Sequence, residues 1–138
     1  MSNGLKLENI EAYFEEHKLP KFDSSSILYG SIDAKLWLKI VITEFSGLFI
    51  KHLLIYFNAE KIILIGLTLN TNLTDAITVI PMTEVSELSF KSGFIRGKLT
   101  FKFKQKKYLI KVPNFILVAK WQKRNLKNIL QRYIIKYS

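Results

Sequence analysis

Basic side chains near the carboxy-terminal end set the chemistry open to this chain. Lys98, Lys102, Lys104, Lys106, Lys107 and Lys111 fall in one stretch, and Lys120, Lys123, Arg124 and Lys127 in the next. Ammonium and guanidinium groups at this density attract anions, whether phosphate, acidic lipid or an acidic protein surface. All 11 Asp and Glu lie at or before Glu87, whereas residues 88–138 hold 14 Lys and Arg and no acid, so the formal +10 divides into −4 and +14. A charge run is also what a solvated face looks like, and the sequence alone leaves both readings open.

No other group of residues points to catalysis. His17 falls in a helical stretch and His52 in an apolar one, and neither has a partner at metal-ligand spacing. Glu8, Glu11, Glu15 and Glu16 read as the solvated side of a helix rather than a cation site. Gly93 and Gly97 flank Phe94-Ile95-Arg96 as a turn, without the spacing of a phosphate-cradling loop. Trp37 and Trp121 read as packing residues, and Ser24-Ser25-Ser26 as a connector. With no cysteine there is no disulfide, thiolate ligand or thiol nucleophile. The expectation is a non-enzyme with no cofactor, no metal and no evident small-molecule substrate.

The elements that must position the basic residues follow from periodicity. A chain of 138 residues fits one domain, residues 1–138. Leu7, Ile10, Phe14 and His17 or Lys18 trace a helical stripe that ends before Pro20, and residues 21–26 form a polar connector. Strand patterns then fill residues 27–113: Ile27–Ile32, Lys35–Thr43, Phe49–Phe57, Lys61–Leu69, Ala76–Ile80 and Glu84–Lys91, with Ser46-Gly47 and Asn58-Ala59-Glu60 as turns. Leu99, Phe101 and Phe103 alternate with Lys98, Thr100, Lys102 and Lys104, which predicts one greasy and one basic face. After a turn at Gln105-Lys106-Lys107, the strand Tyr108–Val112 returns and Pro113 ends it. Asn114 is then expected to cap a closing helix over 114–136, with Phe115, Val118, Ala119, Gln122, Leu126, Ile129, Leu130 and Tyr133 facing the sheet. No apolar run reaches the length of a membrane span and the first residues are polar, so a cytoplasmic, intracellular protein is expected.

Helix, strands and closing helix in this order resemble a bacterial pleckstrin-homology-like (PH-like, GRAM-type) domain with an extra amino-terminal helix. Leu53-Leu54-Ile55-Tyr56-Phe57 with Lys61-Ile62-Ile63-Leu64-Ile65 looks like that family's paired strands, and Ile80-Pro81-Met82-Thr83-Glu84-Val85 like its entry to the middle strand. Phe101 and Phe103 before Tyr108-Leu109-Ile110-Lys111-Val112 fit the later hairpin, and Trp121, Asn125, Leu126, Ile129 and Leu130 the closing helix. The resemblance spans about residues 27–136. It implies an α+β fold: a strongly bent antiparallel barrel of about seven strands closed by a carboxy-terminal amphipathic helix.

It also implies a binding scaffold for lipid head groups, peptides or proteins. Members that bind phosphoinositides use basic residues around the loop joining the first two strands. Here that loop, about Glu44–Leu48 with Lys39 and Lys51 nearby, lacks clustered Lys or Arg, so those binding residues do not carry over. The expected function is a protein-interaction or binding module with a basic face. Peripheral binding to an anionic membrane or to non-specific nucleic acid is the alternative, with nucleic acid below the membrane because Lys lacks the bidentate fork of Arg. Self-association, acidic first helix against basic hairpin or helix, is a third reading, and the same helix covering its own sheet is the structural counterpart.

Overall fold

The computed structural model describes residues 3–32, 51–134 and 136–137. The expected strand Lys35–Thr43, the Ser46-Gly47 turn, the loop near Glu44 and Trp37 lie outside the described residues. The fold is α+β. Helix α1 (Leu7–Glu16) leads to β1 (Ile27–Ile32), β2 (His52–Phe57), β3 (Lys61–Leu67), β4 (Leu73–Pro81), a 3-10 turn (Met82–Glu84), β5 (Ser86–Lys91), β6 (Arg96–Phe103), β7 (Lys106–Pro113), α2 (Trp121–Arg132) and the short β8 (Lys136–Tyr137).

All the described strands join one sheet in the order β4-β3-β2-β1-β7-β6-β5-β8, antiparallel throughout except that β8 runs parallel to β5. The sheet is curled, and chain geometry shows why. Strands β4 and β5 stand six places apart, about 29 Å if the sheet were flat. Only residues 82–85 join them, a link that reaches about 18 Å at full stretch. Among the described residues β4 and β5 share no ladder.

Curling gives the sheet a concave and a convex side, and two-residue alternation assigns each side chain to one of them. Leu28, Ile32, Leu53, Ile55, Phe57, Leu64, Leu99, Phe101, Tyr108 and Ile110 fill the concave side together with Leu126 and Ile129 of α2. Ile27, Leu54, Tyr56, Ile63 and Ile65 line the convex side of β1–β3, where Ile10, Tyr13 and Phe14 of α1 cover them. Helix α1 therefore sits on its own sheet, and Glu8, Glu11, Glu15 and Glu16 face solvent. It ends at Glu16 rather than nearer Pro20, because Lys18 turns left-handed (φ 55°) and the Leu19 N–H reaches back to the Phe14 carbonyl. The connector is structured: the Asp23 carboxylate accepts from the Ser25 N–H and from the Ser25 and Ser26 hydroxyls, which holds its pKa below the usual carboxylate range.

The closing helix is shorter than its periodicity suggests, 121–132 instead of 114–136. Asn114 caps nothing, since its side-chain amide donates to the carbonyls of Gly93 and Phe94. Residues 114–120 instead carry the chain to the free edge of β1, where α2 makes a polar seam. Strands β1 and β7 pair only at Ser31↔Lys111 and Ile32↔Ile110. Continuing that register would put Tyr29 opposite Pro113, which has no N–H to give. Gln122 fills the gap: its Oε1 accepts from the Tyr29 N–H at 2.9 Å, and its Nε2 donates to the Tyr29 carbonyl at 2.9 Å and the Pro113 carbonyl at 3.0 Å. One turn on, Asn125 Nδ2 donates to the carbonyls of Ser24 and Ile27, and Asn128 Nδ2 to that of Ser25. Gln122 and Asn125 are fully buried.

The β6–β7 turn also departs from expectation. It is Lys104-Gln105, with Lys106 and Lys107 already in β7. Both turn residues are left-handed (φ 52° and 65°), the geometry that favours Asn-Gly.

Two substitutions test these assignments. Gln122→Leu should lower unfolding free energy by about 3 kcal/mol in urea denaturation, because buried backbone groups lose their partners. Gln122→Glu should fare no better, since it keeps the acceptor and loses both donations. Conversely, Lys104→Asn with Gln105→Gly should raise the urea midpoint, with a gain of about 1 kcal/mol from relieved left-handed strain.

Candidate functional site

Helix α1 covers β1–β3, and among the described residues no helix covers the convex side of β5–β6–β7. The register there places lysines in rows. Lys91, Lys98 and Lys111 are paired across β5, β6 and β7, and the row continues through Ser31 to His52 on β2. Lys102 pairs with Lys107 further along the hairpin, and Ser89 and Thr100 lie between the two groups with their hydroxyls 2.7 Å apart. Like charges opposed on a sheet repel, so this arrangement is destabilising by itself. Glu87, at a bulge in β5 with φ 54°, meets Lys102 at 2.8 Å. Both partners are solvent-exposed, so the pair adds little stability. A shallow depression of about 310 Å³ runs between Glu87, Ser89, Thr100, Lys102 and Lys107.

The residues predicted from sequence separate into groups. Lys98, Lys102, Lys107 and Lys111 share the convex face. Lys104 sits in the turn with its ammonium 5.2 Å from the Phe103 ring, and Lys106 lies at the hairpin end on the Tyr108 side of the alternation. Lys120, Lys123, Arg124 and Lys127 are exposed on α2 or at its start. Because Leu126 and Ile129 of that helix pack into the concave core, its charged side faces away from the sheet there, and the sheet separates it from the hairpin lysines. Sequence reading missed Lys91 and Arg96, although a turn between strands ending at Lys91 and starting at Arg96 puts both beside Lys98.

It also missed an apolar cluster. Phe94, Ile95, Phe115, Leu117 and Val118 are exposed, whereas Phe115 and Val118 were expected under the closing helix. They belong to the β5–β6 turn and the β7–α2 connection, two loops joined by the Asn114 amide and by the Asn114 N–H to the Ile95 carbonyl at 3.0 Å.

The two histidines sit in different surroundings. At His17, burial pulls the pKa down, but hydrogen bonds with Asp75 and the Tyr13 carbonyl and the charges of Glu16 and Asp75 outweigh it, and the net shift is upward. At His52, burial and the neighbouring Lys51 charge both lower the pKa. Neutral His52 accepts at Nδ1 from the Tyr29 hydroxyl, whose own pKa burial raises. Among the described residues, no three His, Asp or Glu groups are placed to hold a metal ion, and no helix is long and apolar enough to cross a membrane.

No family model, curated protein or solved structure matches the chain.

The imidazole shifts carry opposite pH signs. His52 takes up its proton in the unfolded chain near pH ~6.5 but only at lower pH when folded, so its contribution costs stability as pH falls through that window. His17, raised on folding, contributes stability that is full below about pH 6.5 and lost as pH rises through its folded pKa. NMR titration should place the His17 midpoint above the ordinary imidazole value and that of His52 below it. A His52 midpoint at or above that value would contradict the burial and the Lys51 repulsion that lower it.

Proposed function

We infer that this chain is a non-catalytic binding module that docks an anionic partner on the convex face of β5–β6–β7. The observation that carries the reading is the aligned row Lys91, Lys98 and Lys111, with Lys102 and Lys107 beyond it. The exposed ammonium groups of Lys91, Lys98, Lys102 and Lys107 on one face raise the local concentration of anions. The depression beside Ser89 and Thr100 is open and shallow and holds one acid, which suits surface contact more than acid–base chemistry.

For the architecture, we favour a PH-like bent barrel. Support comes from seven antiparallel strands curled around one core, the short link across the β4 and β5 edges, and the amphipathic helix α2 packed into the concave side. In that frame the binding surface lies on the last three long strands, β5–β7.

The test is association with anionic partners over a salt series: duplex DNA, polyglutamate and vesicles containing phosphatidylglycerol. Binding at low salt that weakens as salt rises is expected. Lys98→Glu with Lys111→Glu should weaken it about tenfold or more, since each basic group near an anionic surface contributes about 1 kcal/mol. Failure to bind all three at low salt removes the reading.

A further inference from the structure

We propose that the β5–β6 turn and the β7–α2 connection form an apolar wedge that inserts into an anionic lipid bilayer, with the basic convex face lying against its head groups. The proposal rests on the basic-face reading and names its partner. Of the large apolar side chains exposed among the described residues, most fall in these two loops: Phe94 is 99% exposed, Leu117 75%, Val118 74%, Ile95 72% and Phe115 56%. Single exposed apolar residues are ordinary, but five in two hydrogen-bonded loops, with Phe94 sheltered by none of the described residues, mark a surface for another phase.

Shape and charge choose the occupant. A peptide anchor needs a concavity to enter, whereas these side chains project from loop tips, the form that dips into the boundary between head groups and acyl chains. Lys91 and Arg96 bracket the turn, Lys120 follows the connection, and the pair Lys98 and Lys111 lies just along the sheet. Long basic side chains beside buried apolar ones can reach back to phosphate oxygens as the wedge enters. The chain contributes no acid from residue 88 onward, so neither loop carries a carboxylate that head groups would repel.

The loops are also held in shape. Asn114 clamps them by donating to the Gly93 and Phe94 carbonyls, at 2.9 Å and 3.1 Å. A Cβ at position 93 would fall 2.0 Å from the Arg96 carbonyl oxygen, so the turn is tight enough to require glycine. Insertion therefore needs little ordering of the loops themselves.

The experiment uses the full chain with vesicles of phosphatidylcholine alone and of phosphatidylcholine with phosphatidylglycerol, alongside polyglutamate and duplex DNA. Phe94→Ser with Ile95→Ser, both exposed and so expected to leave thermal unfolding unchanged, should weaken binding to the anionic vesicles about tenfold or more while leaving binding to polyglutamate intact. In Phe94→Trp, fluorescence that shifts to the blue on anionic vesicles, and is quenched by brominated acyl chains beyond the quenching of the parent protein, would support insertion. If the double Ser variant binds vesicles as well as the parent, or the new Trp is not quenched, the wedge is overturned and the basic-face reading stands. If the parent binds polyglutamate or DNA but not anionic vesicles, the lipid partner is overturned and the basic face again stands. If it binds nothing, both fall.

Discussion

The buried amide of Gln122 is the point on which the architecture turns. Strand β1 serves two neighbours, β2 along most of its length and β7 at Ser31 and Ile32, so before Ser31 one edge of β1 has backbone groups and, among the described residues, no strand to meet them. An exposed edge would satisfy them with water. Here the concave core closes over that edge, and a fully buried glutamine accepts from the Tyr29 N–H and donates to the Tyr29 carbonyl in place of the N–H that Pro113 lacks. Asn125 and Asn128 extend the same repair along residues 24–27. The seam fixes where α2 lies, and α2 in turn contributes Leu126 and Ile129 to the core that holds the curled sheet.

The convex side shows how an uneven sequence becomes an uneven surface. Helix α1 covers β1–β3 and turns its four glutamates outward, while β5–β7 expose lysines on the same side of the sheet. The acidic helix and the hairpin lysines are thus displayed on adjoining regions of one surface. The Trp121 indole donates to the Leu5 carbonyl at 3.0 Å, so the segment leading into α1 is tied directly to the start of α2.

Much of this was legible locally and little of it globally. Alternation alone identified Leu99, Phe101 and Phe103 as inward and Lys98 and Lys102 as outward, since a strand half-buried by one core permits only one assignment. The end of the closing helix nearest β7 was misread because Phe115, Val118 and Ala119 share a helical sector with Gln122. That periodicity does not reveal that the Asn114 side chain is already committed to the Gly93 and Phe94 carbonyls. The β6–β7 turn was displaced because Lys104 and Gln105 are unusual residues for two successive left-handed positions. Pairing of β1 with β7, and therefore the extension of the row from Lys111 to Ser31 and His52, depends on tertiary closure and leaves no mark in nearby residues.

That closure has a price in time. Gln122 and the Tyr29 backbone it serves are 93 residues apart. As the chain leaves a ribosome, β1–β4 can form a meander whose convex side α1 covers at once, but Leu53, Ile55 and Leu64 remain open until the hairpin and α2 arrive. Such long-range contacts slow folding, because the entropy of closing the loop is lost before the contact rewards it. The nascent protein therefore passes through a stage in which an apolar sheet face waits uncovered, and holding that stage clear of other unfinished chains is work for a chaperone.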